Sequence, residues 1–351
     1  MEHVFKFPAA RGMQAGRQYF MVVAPFAVLR RLLAIDNAAQ VLDRSQRDVD
    51  MGRAKKLAAY IKQNPGSWVI PSLVGNIESA PDFEEHVPGS MVGTLSLPMD
   101  AVIKLLDGQH RATGIMNALG EDDELRESSV PLQLYVNMDL AARQQAFTDI
   151  NLNAKTVSKG LSMAYDHRDE VAQAIAEAVG KVRPWVNRIE WQKASCSGDN
   201  PNMFPFKAAV EAFHIYMGTS KKVAPNAEQI AAAVAFFNQV GEAASWKPYI
   251  ISPDMNMRDQ RDSWITYHVV GLKALALWGQ KARDAGVDME EACERLYQHR
   301  NDLSRNMVHK WEGKCMGYDE NMRCNKDAII DTAKELCKMT DIAAPDHHSW
   351  L

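Results

Sequence analysis

"AVIKLLDGQHRATGIMNALG", residues 101–120, changes its hydrophobic period halfway, and that change decides the fold. Ala101–Leu106 is a short apolar run with the length and composition of a buried strand. Ala112, Ile115, Met116 and Leu119 then recur at helical spacing and stop at Gly120, a natural C-cap residue. Asp107 and Gly108 occupy the turn between the two. Asp107 is expected to cap the helix by accepting from its first-turn N–H groups. Gly108 permits positive φ or a close backbone approach. The same N–H groups, with the helix dipole behind them, attract an anion. Gln109, His110 and Arg111 stand at the rim of that place. Arginine offers a planar fork of donors to phosphate oxygens, and histidine donates or moves a proton. The spacing alone fits two readings: a capped helix start with solvated polar residues, or a phosphate site.

Outward from this turn, the first half of the chain alternates strands and helices. Strands are expected at 18–24, 68–77, 91–97, 101–106 and 131–138, where β-branched and aromatic residues cluster. Between the first two, 47–64 carries Val49, Ala54, Leu57, Ala58 and Ile61 near helical spacing. Beyond residue 150 strand signals fade, and helical patterns cover roughly 156–180, 201–217, 226–244, 258–284, 287–300 and 325–340. The expected class is α+β: a mixed α/β domain with a small sheet over 1–168, then a mainly helical domain over 169–351. No Pro/Gly-rich linker marks the junction.

The apolar fraction of 46% and charged fraction of 24% are those of an ordinary globular protein. A net charge of −4 gives no global attraction to nucleic acid, so any such binding needs a local basic face. Five cysteines, scattered and without a CxxC pair, suit free thiols in a reducing compartment. No apolar run reaches membrane-spanning length and the first residues lack a signal peptide's apolar region, so a cytoplasmic protein without membrane association is expected. His309, Cys315 and Cys324 fit no standard zinc spacing, and no metal site is assigned.

Other stretches carry chemistry in two readings each. "FTDINLNAK" sets Asp149, Asn151 and Asn153 at alternating positions, able to orient His110 and Arg111 or to hold a phosphate-bound Mg²⁺, or simply to build turns and caps. "DRSQRDVDMGRAKK" supplies Arg44, Arg47, Arg53, Lys55 and Lys56, either a helix tracking a DNA backbone or a solvated face diluted by aspartates. Arg168 in "YDHRDE" faces DNA or forms part of a polar hinge. Trp185 and Trp191 among Arg183, Arg188 and Lys193 suit base stacking or, as the plainer reading, packing.

"LLDGQHRATGI" resembles the signature of the DGQHR-domain proteins, the DndB family of DNA sulfur modification. "FPAARGMQAGRQYFMVVAP", "RSQRDVDMGRAKKLAAYIKQNPGSWVIPSLVGNI", "GTLSLPMDAVIKLLDGQHR" and "QQAFTDINLNAKTVSKGLSMAYDHRD" resemble further blocks of that family, in its order, over roughly residues 5–170. "NMVHKWEGKCMGYDENM" is similar to a block near the family's end. The resemblance implies a ParB/sulfiredoxin-like first domain, with phosphate held at Gly108, Gln109, His110 and Arg111 and at Asn151 and Asn153. Gln109 and His110 stand where ParB proteins carry an acidic–basic pair, and no cysteine precedes Cys196, so neither the ParB clamp nor sulfur-acid reduction is implied.

The function implied is a DNA-binding regulatory or accessory protein of a DNA phosphorothioation system, foremost a transcriptional repressor of the modification genes. Its expected partners are double-stranded DNA, other modification proteins and a second copy of the chain. No cofactor is fixed; ATP or another nucleotide with Mg²⁺ is the candidate. The alternative is an enzyme, a nucleotide hydrolase (ATPase) or DNA-nicking nuclease. There Arg111 would bind phosphate, and His110, Asp107 and Asp149 would be the catalytic set.

Overall fold

A computed structural model of the chain describes residues 4–34, 49–78, 80–120, 122–152, 158–219, 225–246 and 256–343. It divides into two compact units, Met1–Lys155 and Thr156–Leu351. The class is mixed α+β, as expected.

The first unit runs β1 (Val4–Gln14), β2 (Arg17–Pro25), α1 (Phe26–Leu32), β3 (Leu33–Ala34), α2 (Met51–Gln63), β4 (Leu73–Ile77), β5 (Asp82–Glu85) and β6 (Val92–Pro98). It continues with β7 (Ile103–Asp107), α3 (Gln109–Leu119), β8 (Ser129–Val136) and α4 (Leu140–Leu152). Its eight strands form one mixed sheet in the order β3-β7-β4-β8-β2-β1-β6-β5. That sheet is larger than the small one expected, because β1 and β5 carry little strand signal. Pro8 and Gly12 interrupt the first, and "DFEE" is a polar edge. A two-residue turn, Ala15–Gly16 with both φ positive, closes the β1–β2 hairpin.

Alternation sends Phe20, Val22 and Ala24 of β2, Val130, Leu132 and Leu134 of β8, and Ile103 and Leu105 of β7 to one core. Helices α1, α2 and α3 close that core with Phe26, Leu29, Leu32, Ala58, Ile61, Ala112, Ile115 and Ala118.

The second unit contains α5 (Lys159–Tyr165), α6 (Glu170–Gly180), β9 (Ile189–Glu190), β10 (Phe204–Pro205), α7 (Phe206–Met217), α8 (Ala227–Ala243) and α9 (Met257–Ser263). After these come α10 (Val269–Asp284), α11 (Met289–Gln298), α12 (Val308–Trp311) and α13 (Lys326–Met339). Nearly every side of α10 is buried, which makes it the central helix. Trp185, Trp246, Phe204, Phe213 and Phe237 form an aromatic cluster in the same core. Two expected helices are interrupted. The pattern over 156–180 breaks at Asp166–Asp169, where Asp169 caps α6. The pattern over 258–284 breaks at Trp264, which is extended and bridges to Ser304. The expected junction at 168/169 falls at the first of these breaks, within the second unit.

Candidate phosphate site and DNA-facing helix

Strand β7 pairs antiparallel with β4, and the register shifts by one residue between Val74 and Gly75. Leu106 is the extra residue of this bulge, which turns the strand's end and sets Asp107 beside Val74. Gly108 follows with φ 95°, a left-handed conformation, and α3 starts at Gln109. A Cβ on Gly108 would stand 2.6 Å from Leu73 Cδ2 and 3.2 Å from Arg111 Nε and Nη2. The glycine therefore serves twice: it permits the turn, and it lets the Arg111 guanidinium fold back across it.

Asp107 does not cap α3. No side chain caps that helix, and the Asp107 carboxylate instead accepts from Arg111 Nη2, one turn on. The same Nη2 donates to the Ser72 carbonyl oxygen at 3.1 Å, while Arg111 Nε is buried without an acceptor. An i,i+4 ion pair has thus replaced the expected cap, because the bulge aims the carboxylate along the helix and away from its first N–H groups. Those N–H groups keep their anion-attracting geometry. Gln109 is buried and its Nε2 donates to the Leu105 carbonyl at 3.3 Å, so it anchors the turn from inside.

His110 stands half-buried on the first turn of α3, beside the start of α2. Asp50 caps α2, its Oδ1 accepting from the N–H groups of Gly52 at 2.8 Å and Arg53 at 3.2 Å. The Arg53 N–H above all, then the Gly52 N–H and the charges of Arg53 and His110, hold the Asp50 carboxyl below the usual range. Further along, Ala54 and Leu57 of α2 pack at Gly114 of α3. The two helices therefore run parallel, and their positive ends lie side by side.

Helix α2 exposes Arg53, Lys55 and Lys56, with Lys62 in its last turn, and contains no Asp or Glu between Met51 and Gln63. Arg44, Arg47 and Asn153 lie outside the described residues. Asp149 and Asn151 are exposed on α4, where Asp149 accepts from Gln145 Nε2 at 2.7 Å and Asn151 donates to the Phe147 carbonyl. Among the described residues no group of three His, Cys, Asp or Glu is placed to hold a metal ion. Arg168 belongs to the second unit, exposed in the turn before α6. Trp185 is in the core, and Trp191 stacks on Phe206 at 4.4 Å.

The residue alphabet around the motif gave no hint of two features. Ser72 acts through a backbone oxygen, which any residue would supply. The second is a clamp behind the motif: Glu78 Oε1 accepts from Lys104 Nζ of β7 at 2.8 Å and from Arg143 Nη1 of α4 at 2.7 Å. Those two hydrogen bonds, Lys104's first, depress the Glu78 carboxyl. Arg143 is the buried residue of α4, whose other residues are half-buried or exposed, and its ion pair with Glu78 helps seat α4 on the sheet. Asp50 did have a local signal, as an aspartate just before a helical pattern.

No helix among the described residues is long and apolar enough to cross a membrane. No curated protein and no solved structure matches the chain. One family model does: DndB, DNA-sulfur modification-associated, over residues 7–343, which takes in both the strand–turn–helix motif and most of the helical unit. The chain belongs to the DndB family of DNA-sulfur modification-associated proteins.

Proposed function

We propose that this protein is a cytoplasmic DNA-binding regulatory or accessory component of a DNA phosphorothioation system, a repressor of the modification genes being the leading form. The observation that carries the reading is the cationic face of α2, which has no Asp or Glu beyond its Asp50 cap and is set beside the N-terminus of α3 with both positive helix ends together. In a chain of net charge −4, such a face is the kind of local basic surface that duplex DNA requires. Its partners in this reading are double-stranded DNA, other modification proteins and a second copy of the chain. The first unit resembles the ParB/sulfiredoxin type in placing an arginine-bearing helix after a glycine turn. The α3 N-terminus then takes a phosphate, from the DNA backbone or from a nucleotide such as ATP with Mg²⁺, with Gly108–Arg111 around it.

The test is duplex-DNA affinity as a function of salt. Lys55→Glu with Lys56→Glu changes exposed side chains only and leaves the core of α2 intact. Binding is expected to weaken at every salt concentration, and the slope of log K against log salt to shrink by roughly 0.9 for each phosphate that is no longer neutralised. Unchanged affinity and slope would remove α2 from the interface. Arg111→Ala and His110→Ala, assayed in parallel for ATP hydrolysis, separate a phosphate handle from a reactant. Turnover that disappears with His110 would shift the reading to the hydrolase.

A further inference from the structure

We propose that the sheet face opposite α1, α2 and α3 binds single-stranded DNA, with the rings of Tyr19 and Tyr135 as its stacking platform. This surface lies on the other side of the sheet from α1, α2 and α3, with α4 held at its β4–β7 end through Arg143, Glu78 and Lys104, and the inference does not depend on the α2 reading.

Strand register places Gly12, Tyr19, Tyr135, Asn76 and Lys104 in one row across β1, β2, β8, β4 and β7. Their neighbours in sequence, Phe20 and Leu134, point to the helix-covered core, so this row belongs to the opposite face. That face is open over the hairpin: Val23 is 56% exposed and Val92 53%.

Tyr19 lies over the bare backbone of Gly12, since a Cβ there would come within 2.4 Å of Tyr19 Cζ. Tyr135 is its cross-strand neighbour, with ring centroids 6.0 Å apart and planes at 47°. The Tyr135 hydroxyl donates to Gln14 Oε1 and accepts from Gln133 Nε2 at 2.9 Å. Both rings are thus held in place before any ligand arrives, which lowers the ordering cost of binding. Burial, then the neighbouring Tyr19, raises the Tyr135 phenol, opposed by the Gln133 hydrogen bond and then by the Arg17 charge.

Charge fits the same partner. Residues 4–25 hold Lys6, Arg11 and Arg17 and no carboxylate, and β8 has none either. Lys6 and Arg17 share the face of the tyrosines by strand alternation. Of the carboxylates on this face, Asp82 and Glu84 are at the far β5 edge, and Glu78 at the other end is neutralised by Lys104 and Arg143. A strip with two fixed aromatic rings flanked by cations is the chemistry that binds unpaired bases and their backbone. Duplex DNA hides its base faces in its own stack and offers tyrosines little here. Family membership selects DNA over RNA.

The experiment is fluorescence anisotropy of labelled oligothymidine with the full chain. Wild type is expected to bind, and Tyr19→Leu and Tyr135→Leu each to weaken binding by roughly tenfold. Tyr19→Phe keeps the ring and is expected to bind nearly as wild type does, and Tyr135→Phe, which keeps the ring but gives up the hydroxyl's two hydrogen bonds, to fall between wild type and Tyr135→Leu. A backbone of the same length without bases is expected to bind much more weakly than oligothymidine. This comparison uses wild-type protein alone and decides the matter even if a leucine variant fails to fold. Lys55→Glu with Lys56→Glu is expected to leave the tyrosine dependence intact, so failure of the α2 reading registers separately. The proposal is overturned if oligothymidine does not bind, if the leucine variants bind like wild type, if phenylalanine loses as much as leucine, or if the abasic strand binds equally. Tighter binding of oligouridine would overturn the assignment to DNA.

Discussion

Gly108 makes the passage from β7 to α3 at φ 95°, where an L side chain crowds its own backbone. Alanine there must carry that strain and also push its Cβ into Leu73, a fully buried residue with nowhere to go. The two costs together predict a loss of about 2 kcal/mol or more for Gly108→Ala. Chemical denaturation monitored by circular dichroism checks this; a loss below half that value would mean that the turn relaxes. The glycine was legible in the sequence because a strand-like run met a helical one with only Asp-Gly between. The role of Asp107 was not. Whether it caps α3 or pairs with Arg111 depends on the Leu106 bulge, and that bulge is made by pairing with β4, a strand distant in sequence. Local propensity carries no record of such a pairing.

At the scale of elements, the loop between β9 and β10 is built around one carboxylate. Glu190 Oε1 accepts from the N–H groups of Gln192 at 2.9 Å and Lys193 at 3.1 Å, and Oε2 from Asn200 at 2.9 Å and Asn202 at 3.3 Å. Arg261, buried on α9, gathers the carbonyls of Gly198, Asn200 and Asn202 from the other side. Burial pushes the Glu190 carboxyl up, yet the four hydrogen bonds outweigh it and hold the group below its ordinary value of 4.5. A depressed carboxyl stabilises the fold above its unfolded pKa, and that contribution disappears as pH falls through the folded value. Glu190→Gln is therefore expected to cost about 1.5–3 kcal/mol at neutral pH. The gap from wild type should narrow below pH 4.5. Urea melts of both proteins across that range read it out, and a gap independent of pH would assign the loss to packing. The helices on either side were visible as apolar periodicity. This loop was not, because its order comes from one acid and one base far apart in sequence, each ordinary in its local setting.

Across the molecule, the described residues form two cores with no residue in common. The first closes with Leu134 of β8 as its last member; the second opens with Ile175 of α6. Of the described residues between them, Met163, Ala164 and Val171 pack against the second core, while Arg143 is the buried residue of α4 and Gly160 that of α5. The change from mixed to helical patterning was legible in the sequence, whereas the place of the division depends on which side chains fill which core. Each unit exceeds the size at which a single core sustains a domain. Fragments Met1–Lys155 and Thr156–Leu351 are accordingly expected to fold separately, each with a cooperative urea transition whose steepness scales with its own buried surface. Dispersed amide NMR spectra are the companion readout. The first fragment carries α2, the α3 turn and the open sheet face, so it is expected to retain whatever DNA affinity those surfaces supply. A first fragment that folds cooperatively but binds neither duplex nor single strand would move DNA recognition into the helical unit. One that collapses without a cooperative transition would mean that its core needs the second unit to form.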